Sequence, residues 1–205
     1  MEEKEIYAEL SSIRNLMERS AKFISLSGLS GILAGIYAII GAGLGYYFVY
    51  GTGGMQYRDY YISDDRLIWK LFLIAAAVLV LSLVTGLYLT LGKAKKKNQN
   101  VWNPSSKSLL KNVAVPLFTG GIFILILMLR GNYGVIAPAC LIFYGLALVS
   151  GSQYTYTDVK WLGLLEICLG LLAALLPGYG IIFWTIGFGV LHIVYGSIMH
   201  FKYDR

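Results

Sequence analysis

Six long runs of apolar residues alternate with short polar segments along the chain. A helix that crosses a bilayer needs roughly 17–25 apolar residues, and each run reaches or approaches that length. We predict spans over residues 23–49, 68–92, 113–129, 134–150, 161–176 and 179–200. These form one transmembrane domain over residues 23–200, followed by a short tail over residues 201–205. The pattern predicts an all-α fold, a polytopic membrane protein whose six helices form three hairpins.

Residues 1–22 have a different pattern, with apolar side chains on one stripe of a predicted helix. Ile6, Leu10, Ile13 and Met17 are spaced by four, three and four residues, and charged residues occupy the other faces. An amphipathic helix lying on the membrane surface or on the bundle would have this pattern. A short coiled-coil seam joining two protomers would have it too, and two heptads do not decide between them. Because the segment lacks the basic start of a cleavable signal, we expect the first span to stay in the protein.

Glycines recur at helix-packing spacings. Gly28, Gly31 and Gly35 fall on one face of the first span, while Gly121 and Gly170 hold matching positions in the third and fifth. Small residues let helix backbones approach closely in lipid, where no hydrophobic effect drives helices together. We predict that these five glycines are helix-packing residues. The spacing does not tell an internal contact from a contact with a second copy of the chain.

Spans three to six look like two copies of one hairpin. The correspondences pair Gly121 with Gly170, the outer turn 132–134 with 178–180, and Tyr144-Gly145 with Tyr195-Gly196. With its short hairpins, Gly-rich first helices and tight outer turns, the chain resembles the HdeD-type acid-resistance membrane proteins, best over residues 119–200. The resemblance implies a six-helix protein of the bacterial inner membrane, built from short repeats, and it brings no catalytic residues. The charged N-terminal segment and the Tyr-rich outer loop depart from that pattern.

Composition and charge distribution agree with a membrane location. The chain of 205 residues is 57% hydrophobic and 14% charged, whereas a soluble domain carries about 25% charged residues. Lysines collect between spans two and three, between spans four and five, and after span six, and the opposite loops hold few basic residues. This asymmetry is the positive-inside pattern, and it places both termini in the cytoplasm.

The net charge of +6 does not indicate nucleic-acid binding, because the basic residues follow the membrane topology. Lys93, Lys95, Lys96 and Lys97 suit the anionic headgroups of the cytoplasmic leaflet. We therefore expect the lipid bilayer as a partner and no nucleic acid. Assembly into a homo-oligomer stays open.

One carboxyl group, Glu166, interrupts the fifth apolar run. An ionisable group inside a membrane span costs at least about 2.5 kcal/mol, so it should have a partner, a cavity or a function. Glu166 lies eleven positions before Pro177, and His192 lies twelve positions after Gly180. At about 1.5 Å rise per residue, both are about 17 Å from the turn between them. We predict that Glu166 and His192 form an intramembrane polar pair, provided that helix rotation lets them face each other.

Three interpretations of Glu166 stay open. In the first, Glu166 hydrogen-bonds to His192, Tyr195, Thr185 or Tyr144 and holds helices together. In the second, it is a protonation switch beside a histidine that titrates near neutral pH, and it couples protons to a solute or senses cytoplasmic pH. In the third, Glu166 lies near enough to the interface to reach water.

The chain contains no recognisable set of catalytic, nucleotide-binding or metal-binding residues. The chain has no H-E-x-x-H, G-x-S-x-G or P-loop motif, and no Cys/His set with zinc spacing. Cys140 and Cys168 fit as small apolar fillers. We therefore expect no cofactor, no metal and no enzymatic activity.

The first hypothesis for function is a non-enzymatic inner-membrane protein with a scaffold, regulatory or envelope-stress role. The alternative is a small proton-linked transporter or channel that uses Glu166 and His192. Binding of a lipid or quinone between Tyr- and Trp-bearing helices is a third hypothesis.

Overall fold

The computed structural model describes residue 13 and residues 27–51, 65–96 and 101–204. Outside these residues lie the predicted N-terminal helix (Ile13 excepted), the start of the first predicted span, the tyrosine-rich outer loop, Lys97 and Arg205. The described parts are helical and contain no strand. The prediction of an all-α fold is confirmed for them.

Six long helices account for most of the described chain. In chain order they are α1 Gly28–Tyr50, α2 Asp65–Lys96, α3 Pro104–Leu129, α4 Ile136–Gly151, α5 Asp158–Leu175 and α6 Gly180–Asp204. Short 3-10 turns at Tyr133–Val135 and Ser152–Tyr154 flank α4. Within α6, the segments Thr185–Leu191 and His200–Asp204 have the wider π-helical geometry.

Five of these helices are long and apolar enough to cross a membrane: α1, α2, α3, α4 with its flanking turns, and α6. The sixth, α5, has 18 residues, and its charged residues set it apart. Asp158 and Lys160 lie in its first turn, at the edge of the bundle, and only Glu166 lies in its middle. The described chain is therefore a helical bundle with the composition of a multi-pass membrane protein.

Two helices extend well past their predicted apolar runs. α2 continues to Lys96, and the lysines in its last turn interact favourably with the negative end of the helix dipole. α3 begins at Pro104, where the side chains of Asn103 and Ser106 each accept a hydrogen bond from the other residue's backbone N–H. An apolar run marks the part of a helix that suits lipid, whereas caps and charges decide where the helix ends.

The helices pack in an order that differs from their order in the chain. α2 packs on α1, and α1 packs on α6. α3 packs on α4, and α4 packs on α5 through the most extensive interface of all. The first two predicted hairpins are therefore packed pairs. In the third, α5 and α6 share only a small interface, because their larger interfaces are with α4 and α1.

Glycines let the first and last helices approach closely. A Cβ carbon on Gly31 would lie 3.1 Å from the Cα atom of Gly196, and one on Gly35 would lie 2.6 Å from the carbonyl oxygen of Gly189. Gly28 also faces the backbone of α6. The glycine face predicted in the first span is thus used inside the chain, against α6.

The α4–α5 pair is packed in the same way. A Cβ carbon on Gly145 would lie 2.6 Å from the carbonyl oxygen of Gly163, and one on Gly163 would lie 2.7 Å from that of Gly145. Gly170, predicted as a packing glycine, faces α4 as well, because a Cβ carbon there would lie 2.6 Å from the Cγ1 atom of Ile142.

Gly121, predicted as a packing glycine, makes no helix contact within the described chain. A Cβ carbon on Gly121 would meet nothing within 4 Å. Its neighbour Gly120 is the buried residue and faces Phe143 of α4. One step along a helix turns the side-chain direction by about 100°. The sequence repeat therefore identified the right turn of α3 but the wrong face.

An ionic cluster around Asp204 holds the lysine-rich end of the bundle, which we call the basic end. Asp204 accepts hydrogen bonds from the Gly28 N–H at 2.8 Å and from the Ser27 hydroxyl at 3.3 Å. Lys93 of α2 donates to its other carboxylate oxygen at 2.5 Å. Because Ser27 does not cap α1 with its own side chain, the last helix caps the first and pairs with the second.

Replacing Gly145 by alanine should destabilise the bundle, because the added methyl would overlap the Gly163 carbonyl oxygen. We expect Gly145→Ala to lower the free energy of unfolding by about 1–3 kcal/mol, the usual cost of overpacking. Gly121→Ala is the matched control, since its methyl meets no atom and alanine favours a helix by about 0.5–1 kcal/mol. Equal stability of the two variants in a detergent unfolding titration would contradict the α4–α5 contact.

Removing the Asp204 carboxylate should loosen the basic end. We expect Asp204→Ala to lower the free energy of unfolding by about 2–3 kcal/mol, because charged hydrogen bonds and a helix cap are lost together. Lys95→Ala is the control, since Lys95 is exposed in the same turn of α2 as Lys93. Protease cleavage near Ser27 should also accelerate in Asp204→Ala alone. Unchanged stability and cleavage would mean that Asp204 does not hold α1.

Candidate functional site

Glu166 lies on the face of α5 that packs into the bundle. The buried residues of α5 follow helical spacing and are Val159, Leu162, Gly163, Glu166, Gly170 and Ala173. Gly163 and Gly170, on the same stripe, let α4 come close enough to cover the carboxyl group. Glu166 is 0% exposed. The third interpretation from the sequence, in which Glu166 reaches water at the interface, does not fit this burial.

His192 reaches Glu166 from α6, directly after the π-helical segment Thr185–Leu191. Its Nδ1 atom lies 3.5 Å from Oε1 of Glu166, and the residue is 7% exposed. Segments of π-helix are rare and occur frequently at functional sites. The helix rotation that the sequence left open therefore brings the two groups together.

The third polar group comes from α4. The hydroxyl oxygen of Tyr144 lies 2.8 Å from Nε2 of His192. The ring of Phe188 packs 5.1 Å from that of Tyr144 and 6.0 Å from that of His192, centroid to centroid. We call Glu166, His192 and Tyr144 the Glu–His–Tyr cluster. Each member comes from a different helix, so the cluster joins α4, α5 and α6.

The hydrogen bonds of His192 decide which form of the imidazole fits. Its Nδ1 atom lies 3.0 Å from the carbonyl oxygen of Gly187. That oxygen only accepts, so Nδ1 carries a proton. Nε2 then accepts from the Tyr144 hydroxyl, and a neutral imidazole is fully satisfied. A cationic imidazole would donate at Nε2 and would leave the phenolic hydrogen without an acceptor among the described residues.

The carboxyl group of Glu166 is less well satisfied. Neither of its oxygens has a hydrogen-bond partner among the described residues. Nδ1 of His192 is within ion-pair distance, but its proton is directed at Gly187. An ionised carboxylate here would be a buried charge without a donor, which costs several kcal/mol. The geometry therefore favours a protonated Glu166 beside a neutral His192.

Gly187 belongs to the site, although sequence reasoning did not single it out. A Cβ carbon on Gly187 would lie 2.5 Å from Oε2 of Glu166 and 2.5 Å from Cδ2 of Leu141. Gly187 thus leaves room for the carboxyl group, and its carbonyl orients the imidazole. Glycine is common in the spans of this chain, so no local signal distinguished Gly187 from the others.

Two residues proposed from the sequence as supporting groups lie apart from the cluster. The Thr185 hydroxyl donates to the Ile181 carbonyl oxygen at 2.7 Å. The Tyr195 hydroxyl is buried and has no hydrogen-bond partner among the described residues. Its side chain packs at the basic end, on the apolar group formed by Tyr156, Val159 and Met199. Tyr144 is the one supporting residue of the three that contacts the Glu–His pair.

A second feature of the bundle is an open apolar groove of about 310 Å³ between α1 and α6. It is lined mainly by isoleucine, with Tyr46 and Thr185 as polar members, and no member of the Glu–His–Tyr cluster lines it. Because the Thr185 hydroxyl is bonded to its own helix, the groove suits an acyl chain better than a quinone headgroup.

Potential metal-ligating side chains and both cysteines lie in the described part of the chain. No group of three or more His, Cys, Asp or Glu side chains in residues 27–51, 65–96 and 101–204 could hold a metal ion. Cys140 of α4 and Cys168 of α5 are free thiols.

Fold and site together define a helical bundle with the composition of a multi-pass membrane protein and an ionisable cluster enclosed by three helices. No family model matches the chain, and no curated protein or solved structure is significantly similar to it. The function is therefore argued from the cluster and its surroundings.

Removing the Tyr144 hydroxyl should leave the buried Nε2 of His192 unpaired. We expect Tyr144→Phe to lower the free energy of unfolding by about 1–3 kcal/mol, the usual cost of orphaning a buried polar atom. Tyr88→Phe makes the same chemical change at a residue that is 76% exposed, so it should have no effect. If the two variants unfold alike in a detergent titration, the Tyr144–His192 hydrogen bond does not stabilise the bundle.

Proposed function

We propose that this chain is a non-enzymatic integral protein of the bacterial cytoplasmic membrane, with a scaffold, regulatory or envelope-stress role. The complete burial of Glu166 carries the proposal. A substrate could not reach the carboxyl group without separation of α4, α5 and α6. Within the described residues the cluster holds three helices together and lacks an exposed nucleophile or acid–base pair.

Charge distribution supports an orientation with both termini in the cytoplasm. The basic end carries Lys93, Lys95, Lys96, Lys107, Lys111, Lys160 and Lys202. Lys93 is engaged by Asp204, so the anionic lipids expected as partners would meet Lys95 and Lys96 instead. Lys107 stacks over the ring of Trp102 at 5.6 Å, an arrangement suited to the headgroup region. The resemblance to HdeD-type proteins agrees with this location.

Self-association stays part of the proposal, with one restriction. Gly28, Gly31 and Gly35 are used against α6, so they do not provide a dimer face. A second copy would have to use another surface, such as the amphipathic segment over residues 1–22.

The alternative function, a small proton-linked transporter or channel, is favoured by one observation. Both carboxyl oxygens of Glu166 are without a hydrogen-bond partner in the described chain, and a functional role is one explanation for a buried polar group left in this way. Transport would also require a polar route from the cluster to both sides of the membrane.

Proton flux and complementation together separate the two functions. The purified protein is reconstituted into liposomes that contain a pH-sensitive dye, and a pH gradient is imposed. We expect wild type and Glu166→Gln to leave the gradient equally intact, with a protonophore as the positive control. In parallel, both forms should restore acid tolerance equally in a deletion strain, because glutamine keeps the neutral shape of a protonated Glu166.

A flux that wild type supports and Glu166→Gln abolishes would overturn the scaffold proposal and establish the transporter. A deletion strain with no growth defect at acid pH would remove the envelope-stress part of the proposal. The flux result would still decide between scaffold and transporter.

A further inference from the structure

Polar groups are distributed unequally on the two sides of Glu166. Towards the outer turn, the rest of α5 over residues 167–176 is entirely apolar (ICLGLLAALL). The facing part of α6 offers the Thr185 hydroxyl, which is bonded to Ile181, and the indole of Trp184. The facing part of α4 over residues 136–141 is apolar except for Cys140. No hydroxyl or carboxyl group on these stretches is free to carry a proton outward.

Towards the basic end, hydroxyl groups continue from the cluster. Tyr195 follows His192 on α6 by three residues, a rise of about 4.5 Å, and its buried hydroxyl lacks a hydrogen-bond partner among the described residues. Tyr203 packs on the same apolar group as Tyr195. The Tyr203 hydroxyl donates to Asp158 at 2.7 Å, and Asp158 is 27% exposed. Along α6, Tyr195 thus lies between His192 of the sealed cluster and Tyr203, whose hydroxyl binds a carboxylate in contact with water.

Asp158 stays ionised at this end. Its partial burial would raise its pKa, but hydrogen bonds from Tyr203 and from Lys202 outweigh the burial and hold the pKa below its usual range. Lys202 donates to Asp158 at 2.9 Å. Asp158 is therefore in contact with water, with the Lys202 ammonium group and with the Tyr203 hydroxyl.

We infer that Glu166 exchanges its proton with the cytoplasm alone, through the hydroxyl of Tyr195, so that the Glu–His–Tyr cluster is a sensor of cytoplasmic pH. The inference rests on the regulatory function and on the orientation proposed above, and it names the signal that this function would respond to. A sensor needs access from one side only, whereas a transporter needs access from both.

The exchange step moves one proton from Glu166 to water at the basic end. The O–H bond of the Glu166 carboxyl breaks, and the Tyr195 oxygen accepts that proton while it releases its own towards Tyr203 and Asp158. Water at the basic end takes up the released proton. Glu166 is left as a carboxylate beside the Nδ1–H group of His192, and the ring can then turn its proton from Gly187 towards Oε1. Among the described residues, no hydrogen bond joins Tyr195 to the cluster or to Tyr203, so both transfers wait for motion of the Tyr195 side chain.

The ionisable groups around this route come from α4, α5 and α6, with a lysine of α2 behind them. His192 of α6 and Tyr144 of α4 face Glu166. Asp158 of α5 and Tyr203 of α6 act electrostatically on Tyr195. Behind them lie Tyr156 and the Asp204 cluster with Lys93 and His200. The face of α1 that packs against α6 consists of glycine and isoleucine.

Infrared spectroscopy on oriented membrane vesicles tests the route. The C=O stretching band of a protonated Glu166 is assigned by its loss in Glu166→Gln. The bath pH is then stepped between about 5 and 8, the range in which a histidine-linked site responds. We expect the band to respond in inside-out vesicles, where the basic end faces the bath, and to stay constant in right-side-out vesicles with a buffered interior.

Tyr195→Phe should slow the response in inside-out vesicles by about tenfold or more and leave its final amplitude unchanged. Tyr88→Phe is the matched control and should not alter the rate. A change of amplitude with no change of rate would assign Tyr195 a packing role and overturn the route.

A band that responds in right-side-out vesicles would overturn one-sided access. Absence of the band would show that Glu166 holds no proton. Neither result touches the proposed scaffold or regulatory function, which fails only if the flux assay detects Glu166-dependent transport.

Discussion

Where α4 packs on α5, the backbone of each helix occupies the space that a Cβ carbon of the other would need, so Gly145 and Gly163 bring the two backbones into contact. Glu166 follows Gly163 by three residues on the same stripe of α5. The contact therefore helps to enclose Glu166, which is 0% exposed. His192 of α6 reaches the enclosed carboxyl group, with its Nδ1 atom 3.5 Å from Oε1.

Burial of an ionisable group in a low-dielectric interior then restricts its protonation. A neutral carboxyl, a neutral imidazole and a phenol are mutually compatible in this space, whereas a lone carboxylate is expensive. Tyr144 and the Gly187 carbonyl complete the hydrogen bonds of the imidazole, but among the described residues neither carboxyl oxygen has a donor. The geometry of the cluster thus favours the neutral state of Glu166 over the ionised state, which is poorly solvated.

The two ends of the bundle differ in the interactions that connect the helices. At the basic end, Asp204 joins α1, α2 and α6, while Asp158 binds Lys202 and Tyr203. At the other end, the α3–α4 and α5–α6 connections are short turns in which Gly131 and Gly178 adopt positive φ, a conformation that costs glycine little. Within the described parts of α4, α5 and α6, the unpaired hydroxyl of Tyr195 and the carboxylate of Asp158 both lie on the basic-end side of the cluster.

The sequence by itself determined the helical class, the approximate position of each apolar run, and the equal depth of Glu166 and His192. These depend on composition and on rise per residue, which are local properties. Helix ends departed from the apolar runs, because Asn103 and the lysines of α2 act outside the lipid-compatible stretch. Only the tertiary structure decided that the first helix packs on the last, that Gly120 rather than Gly121 is buried, and that Tyr144 and Gly187 complete the site. Each of these depends on the rotation of one helix against another, which is set by the sum of many side-chain contacts and has no local signal along the chain.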